Sequence, residues 1–517
     1  RGADFPVHHN QLPDSHAVVM GTIEQMPLGL ILPEGITGPT VLQMQHPENP
    51  LYRLLVITGR NDLEVRTSSR YITQRYESLS GQRIRAEELS IPPRQSFDAP
   101  KWQSLDEPIY LERLVDEGTM VGEGIRPSPQ HYSFRLPPLF VWAGDDVNLQ
   151  VNYQFPEGEW LDIDNSRLEV SLNDQYIEGL PVEKNSIAWD LWKLLGNDIR
   201  QEEAILDIPQ EQLYGNNQLS FYFNMAVHTP DEGCDLGLPE RIETRIMPNS
   251  HIDLREAKKF AALPELSYWV SAGYPFTQWA DLSQTSLLLP EVPQANEISA
   301  ALGLVGRMAN ATGYPSYGLD IRKGLNMSSA LIDRDLLVVA RADHIEQSAL
   351  NELMDPFAIV DETISIEPSN LWQRLKIWAK ADVSTESGRA RDELPSQAPE
   401  QALLATRSPL NDGRSLILAT GFSDQGIQQL TSIIDQPEIS RQTVGDLVTI
   451  DQQQSVEAYR VAERDIRGNI SWNRLVRWYA GQYIIPVLLL MVIVVLLTAV
   501  VLHGTLNRRE KWRTHRK

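Results

Sequence analysis

Two D-x-D triplets, Asp162/Asp164 and Asp333/Asp335, are the acidic pairs whose spacing comes nearest to a chemical site in this 517-residue chain. Paired carboxylates of this kind hold a divalent metal against phosphate oxygens, as in sites for metal-bound sugar nucleotides. The first triplet follows a turn and the second opens an apolar run, so both are expected to be surface acids at strand starts. "RVAER" places Arg460 and Arg464 at an R-x-x-x-R spacing that suits phosphate, but the "NISWNR" downstream lacks the glycine that would complete a cyclic-diguanylate grip. His8 and His9 have no companion acid or Cys and are expected in a loop. No Walker A, G-x-S-x-G, H-E-x-x-H or C-x-x-C pattern occurs.

Apolar runs that close in "MGTIEQMP", "LPEVPQ" and "ARADHIEQ" offer no glycine cradle, and they place acids where a phosphate would lie. The expectation is therefore no cofactor, no metal and no catalytic residue. "RLVRW" resembles the Q-x-x-R-W of processive glycosyltransferases, but Arg474 stands in place of the Gln. Aromatic residues are the remaining candidates, because sugar rings stack C–H groups on an exposed aromatic face. Trp160 lies in the turn-like "FPEGEW", Tyr222 alternates with Phe221 and Phe223, and Trp142 precedes an alternating run. These three are the candidate glycan platform.

Two textures of sequence position these residues. "SHAVVMGT", "GLILPEG" and "YRLLVITGRND" are short apolar runs closed by Gly, Pro or Asp, which predicts strands buried on both faces of a parallel sheet. The same texture returns in "SLLLPEV", "RDLLVVARADH" and "RSLILATGFSD", with helix-length segments "ISAALGLVGRMANATG" and "DQGIQQLTSII" between them. Between the two stretches the period is two: Val147, Leu149, Val151, Tyr153 and Phe155 share a face, as do Leu219, Phe221, Phe223 and Met225. That alternation predicts an antiparallel sandwich, jelly roll or similar, between two α/β domains.

The chain closes differently. From Ile484 to Leu502 no side chain is charged, and nineteen helical residues at about 1.5 Å each nearly span the hydrocarbon core of a bilayer. Just before it, Trp472, Leu475, Val476 and Tyr479 fall on one helical face opposite Asn473, Arg474 and Arg477, which predicts a helix in the membrane interface. The formal net charge is −23, yet the last ten residues hold six Lys/Arg and one Glu, leaving −28 for the rest. Such a body repels nucleic-acid phosphate and anionic lipid, and the positive-inside rule places the tail in the cytoplasm and the body outside. Cys234 is the lone cysteine, so no internal disulfide supports the body. The start "RGADFPVHHN" has no export leader, so an upstream region is expected.

"LPDSHAVV", "LLVITGR", "SRLEVSLNDQYI", "NNQLSFYF", "AGYPFTQWADLSQTSLLLP" and the terminal amphipathic helix with one span resemble the periplasmic B subunit of bacterial cellulose synthase. The block from Ala272 to Ser283 is the most specific part. The resemblance implies a flavodoxin-like domain (1–97), a carbohydrate-binding jelly roll (98–250), a second flavodoxin-like domain (251–468), an interface helix (469–482), a transmembrane helix (483–503) and a cytoplasmic tail (504–517). It implies that a leader and a first jelly roll precede this chain. It further implies a non-catalytic subunit anchored in the bacterial inner membrane with its bulk in the periplasm. Such a subunit serves a membrane-embedded catalytic partner that polymerises glucose from UDP-glucose in a cyclic-di-GMP-activated pathway. Trp472, Leu475, Val476, Trp478, Tyr479 and Pro486 are then the residues expected to meet that partner and the bilayer. The growing glucan and a second copy of the chain are further expected partners, and nucleic acid is not. The competing expectation is a tail-anchored glycan-processing enzyme, which needs two facing carboxylates that no spacing singles out.

Overall fold

The computed structural model describes residues 6–74, 80–138, 141–142, 147–158, 160–182, 200–208, 213, 215–228, 239, 241–258, 260–366, 381–396, 398–462, 464–468, 472–482 and 484–514. Two compact units emerge: one holds residues 1–96, 264–464 and 482–517, the other 97–263 and 465–481.

In the first unit, Ala17–Thr22, Arg53–Gly59, Thr40–Gln45 and Arg83–Arg85 form a four-stranded sheet in that order. The expected all-parallel sheet is not what forms. Only Ala17–Thr22 and Arg53–Gly59 run parallel, while Thr40–Gln45 is antiparallel to both of its neighbours. The seven residues 46–52 that join Thr40–Gln45 to Arg53–Gly59 are too few for a crossover, so the two strands close as a hairpin. "GLILPEG" is not a strand either. Positive φ at Gly29 and Gly35, with Pro33 between them, breaks any ladder, and Leu28 and Ile31 project into solvent around the buried Leu30. The helix Asp62–Gln74 packs against this sheet.

The second α/β region follows its sequence closely. Asp320–Lys323, Thr285–Leu289, Asp335–Arg341 and Asn411–Gly421 are parallel, and Gln401–Ser408, Leu447–Ile450 and Val456–Tyr459 extend the sheet antiparallel to seven strands. Alternate residues of each central strand enter opposite cores. Leu287, Leu337, Val339 and Ile417 meet the helices Ala295–Thr312 and Asp424–Ile434, while Leu288, Leu336, Val338 and Leu416 meet Ile345, Phe357 and Ala390. Burial on both faces is why these runs read as continuously apolar. The Ala272–Ser283 block lies inside this region, with Tyr274, Phe276 and Leu282 all buried, so its specificity is that of a packed core segment.

The other unit is a sandwich. Gln175–Pro181, Leu161–Leu172, Asn216–Val227 and Gln130–Arg135 form one antiparallel sheet. Val147–Phe155 is central in a six-stranded sheet with Ile109–Tyr110, His251–Asp253, Glu243–Ile246, Val121–Glu123 and Arg200–Ile208. The inward faces share one core, in which the Phe155 and Phe223 rings meet edge-on at 5.0 Å. Trp472–Gln482 is a helix that belongs to this unit up to Gly481. Ile484–Thr514 is one helix of 31 residues in the first unit, and its stretch Val487–Leu506 is long and apolar enough to cross a membrane.

Candidate functional site

The helix Trp472–Gln482 displays an apolar face that is largely exposed at Trp472 and Val476. Trp472 is 73% exposed, and Val476 (47%) and Tyr479 (39%) follow at i+4 and i+7, where helical side chains align. Leu475 is half-buried beside them. Trp478 lies in the same helix, and its side chain falls outside the described residues. Pro486 sits in the first turn of the long helix, where a missing N–H costs no intrahelical bond; its side chain is likewise outside the described residues. In the long helix, Thr498 Oγ1 donates to the carbonyl oxygens of Val494 and Val495, so its hydroxyl is spent within the helix.

Of the three platform candidates, Trp160 stands in a turn as expected, but its side chain is 5% exposed in the sandwich core. Gly158, at φ +148°, permits this: a Cβ there would lie 2.3 Å from the indole, so the ring folds back under a residue with no side chain. Tyr222 faces outward between the buried Phe221 and Phe223, half-buried and opposite Glu169 on the neighbouring strand. Trp142 pairs through its backbone with Ala257, and its side chain lies outside the described residues. Trp160→Ala is therefore expected to cost about 3–5 kcal/mol of stability, as for other buried large aromatics. Chemical denaturation reads this directly, and a loss below 1 kcal/mol would return Trp160 to the surface.

The acidic pairs are structural. Asp162 accepts hydrogen bonds from the backbone N–H groups of Asp164 (3.1 Å) and Asn165 (3.3 Å) and from Asn165 Nδ2 (2.7 Å), closing a bulge in its strand. The Asn165 amide holds its carboxyl below the usual range. Asp335 was expected on the surface and is 2% exposed. Its carboxylate takes Ser415 N–H at 2.7 Å and the Arg414 guanidinium at 3.1 Å, pinning two central strands. Among the described residues, no group of three or more His, Cys, Asp or Glu could hold a metal.

Arg460 and Arg464 both face inward to Glu265, with nitrogens 3.5 and 3.7 Å from its Oε2. Glu265 is 7% exposed, and its Oε1 accepts Gly445 N–H at 2.6 Å. Beside it, fully buried Asp446 takes the backbone N–H groups of Val461 and Ala462; burial pushes its carboxyl up to about 8. The R-x-x-x-R spacing is thus matched to an internal carboxylate far away in sequence, which no local pattern announces.

At the carboxyl ends of the parallel strands, where α/β sheets take phosphates, lies another buried carboxylate. Glu297 accepts Gln294 N–H (2.8 Å), Arg341 N–H (2.9 Å) and His344 Nδ1 (2.8 Å). The Arg341 guanidinium pairs with Asp343 and Asp424. These acids satisfy the donors and place negative charge where a phosphate group would need positive potential.

A helix long and apolar enough to cross a membrane, an aromatic amphipathic helix and a body of α/β and sandwich regions define a multidomain protein with a candidate membrane anchor. Family models specify it further: the first FD domain of cellulose synthase BcsB matches residues 1–86, its second CBM domain 108–251 and its second FD domain 259–419. The three lie in chain order over most of the sequence, and the chain belongs to the BcsB family. It is 29% identical to a cyclic di-GMP-binding protein of Komagataeibacter xylinus over 99% of this chain and 65% of that one. It is 27% identical to a cyclic di-GMP-binding protein of Escherichia coli K12 over 93% of this chain and 62% of that one. It also matches cellulose synthase 1 of K. xylinus at 28% identity, over 98% of this chain and 33% of that polypeptide. The chain thus spans under two thirds of the length of these relatives.

Proposed function

We propose that this chain is the non-catalytic, membrane-anchored subunit of a bacterial cellulose synthase. In this reading the C-terminal module packs on the membrane-embedded glycosyltransferase and is required for its activity. The body stands in the periplasm and guides the extruded β-1,4-glucan, with the α/β regions as flavodoxin-like domains and the sandwich as a jelly-roll carbohydrate-binding domain. The carrying observation is the exposed Trp472, Val476 and Tyr479 face joined to an apolar span, in a chain of this family. A plain tether needs the span and not the aromatic face. The match to one third of cellulose synthase 1 supports a companion role, since the similar region there is part of a much longer polypeptide named a synthase.

Direct cyclic-di-GMP binding, which the relatives' names carry, gains no support from Arg460 and Arg464, whose charge is turned toward buried Glu265. The reading is that the nucleotide acts on the catalytic partner and this chain benefits indirectly. The acidic pairs lend a tail-anchored enzyme no support, since Asp162 is committed to backbone N–H groups and Asp335 to Ser415 N–H and Arg414.

Protease added to intact spheroplasts is expected to digest the body and spare the last fifteen or so residues. A protected body with a cleaved tail would invert the topology and remove the periplasmic role.

A further inference from the structure

The wet face of the four-stranded sheet has an arrangement that the candidate platform missed. Strand registers lay its outward side chains in rows. Tyr176, Ser171, Ser220 and His131 form one row; Gly179, Glu169 and Tyr222 the next; Pro181, Arg167 and Asn224 the third. Tyr176 does not stand away from the sheet. A Cβ on Gly179 would lie 2.8 Å from the Tyr176 hydroxyl and 3.1 Å from Arg167 Cδ, so the ring runs along the sheet over the glycine, and the residue remains 62% exposed. A bulge at Ile177, opposite Val170 and Ser171, makes this possible by re-aiming Tyr176.

Two tyrosines therefore flank Glu169 across three adjacent strands. Strands lie about 4.8 Å apart, so Gly179, which lies under the Tyr176 hydroxyl, and the backbone of Tyr222 are separated by about 10 Å. That matches the length of one disaccharide unit in an extended β-1,4-linked glucan. Glu169 is held between them by Arg167 Nε at 2.9 Å and Asn224 Nδ2 at 3.1 Å. The carboxylate is thereby kept ionised and oriented, with its charge balanced by Arg167. In a strongly acidic body, a face with paired charge, fixed polar groups and two aromatic rings suits a neutral polyhydroxylated ligand better than an ion.

We propose that Tyr176, Glu169 and Tyr222 form a subsite for an extended β-1,4-glucan, the rings stacking on alternate sugars and Glu169 accepting from their hydroxyls. The proposal deepens the glucan-guiding reading and rests on it. The test is isothermal titration of cellohexaose into the purified full chain in a detergent without a sugar headgroup. Tyr176→Ala and Tyr222→Ala are each expected to weaken binding about tenfold, as a lost stacking partner would. Tyr176→Phe keeps the ring and should stay within about twofold of the native chain, as should Ser133→Ala on the same sheet. Unchanged unfolding curves for the variants keep the reading on binding. Equal binding by the Tyr→Ala variants, equal binding of maltohexaose, or no binding by the native chain would overturn the subsite. Co-purification of the Tyr176→Ala/Tyr222→Ala chain with the glycosyltransferase is measured in parallel and is expected to persist. Failure of the native chain to co-purify would instead strike the parent reading.

Discussion

Trp472→Asp combined with Val476→Asp is expected to abolish glucan synthesis while the body remains folded and exported. Both side chains project into solvent from one helical face, so the folded body loses little when they change. Against lipid or a protein partner the loss is different. Burying a large apolar side chain is worth about 1.5–3 kcal/mol, so two such losses amount to about 3–6 kcal/mol before any charge is desolvated. At about 1.4 kcal/mol per factor of ten, the association weakens by two to four orders of magnitude. A poly-Leu replacement of Val487–Leu506 should give a similar loss for another reason. Leucine is as apolar as the native span, but association in lipid depends on packing shape and not on greasiness. Radiolabelled glucose incorporation in membranes, with immunoblotting of the exported chain, reads both. Full synthesis with the poly-Leu span would reduce the helix to a tether.

Asp335→Ala is expected to cost about 3–5 kcal/mol of stability, as much as the loss of the Trp160 indole, because it leaves the Arg414 guanidinium and Ser415 N–H without their carboxylate between two central strands. That is a large share of the 5–15 kcal/mol typical of a folded domain. Synthesis should fall through loss of protein, with activity per surviving molecule retained. Asp162→Asn is the matched control. Its side chain is half-buried at a bulge, an amide oxygen can still accept the Asp164 and Asn165 backbone N–H groups, and only the bond from Asn165 Nδ2 is lost, so stability should fall by no more than about 1 kcal/mol. Urea denaturation of both variants decides between a structural and a metal-holding role. Equal stability with lost activity in Asp335→Ala would point back to chemistry.

What the sequence disclosed follows from range. Leu336–Ala340 and Leu416–Ala419 read as two-face-buried strands because every position is apolar, and Leu219–Met225 as a half-wet strand because every second one is. Those signals are local. The direction of Thr40–Gln45 depended on the length of the loop after it, not on its composition. Trp160 was misjudged because "FPEGEW" has turn chemistry while its indole folds back against Gly158. Glu265 gave no sign of its role, since its partners Arg460 and Arg464 lie 195 or more residues away. Tyr176 needed a strand register and a bulge to become a candidate, and neither is visible in a string of residues.

In the proposed function this chain does no sugar chemistry itself and is needed by a partner that does. The most direct test is reconstitution of the membrane glycosyltransferase in lipid vesicles with UDP-glucose and cyclic di-GMP, with and without this chain. The expected result is glucan only when both proteins are present, with no glucose incorporated by this chain alone. Glucan made equally well by the glycosyltransferase without it, or any incorporation by this chain alone, would contradict the account.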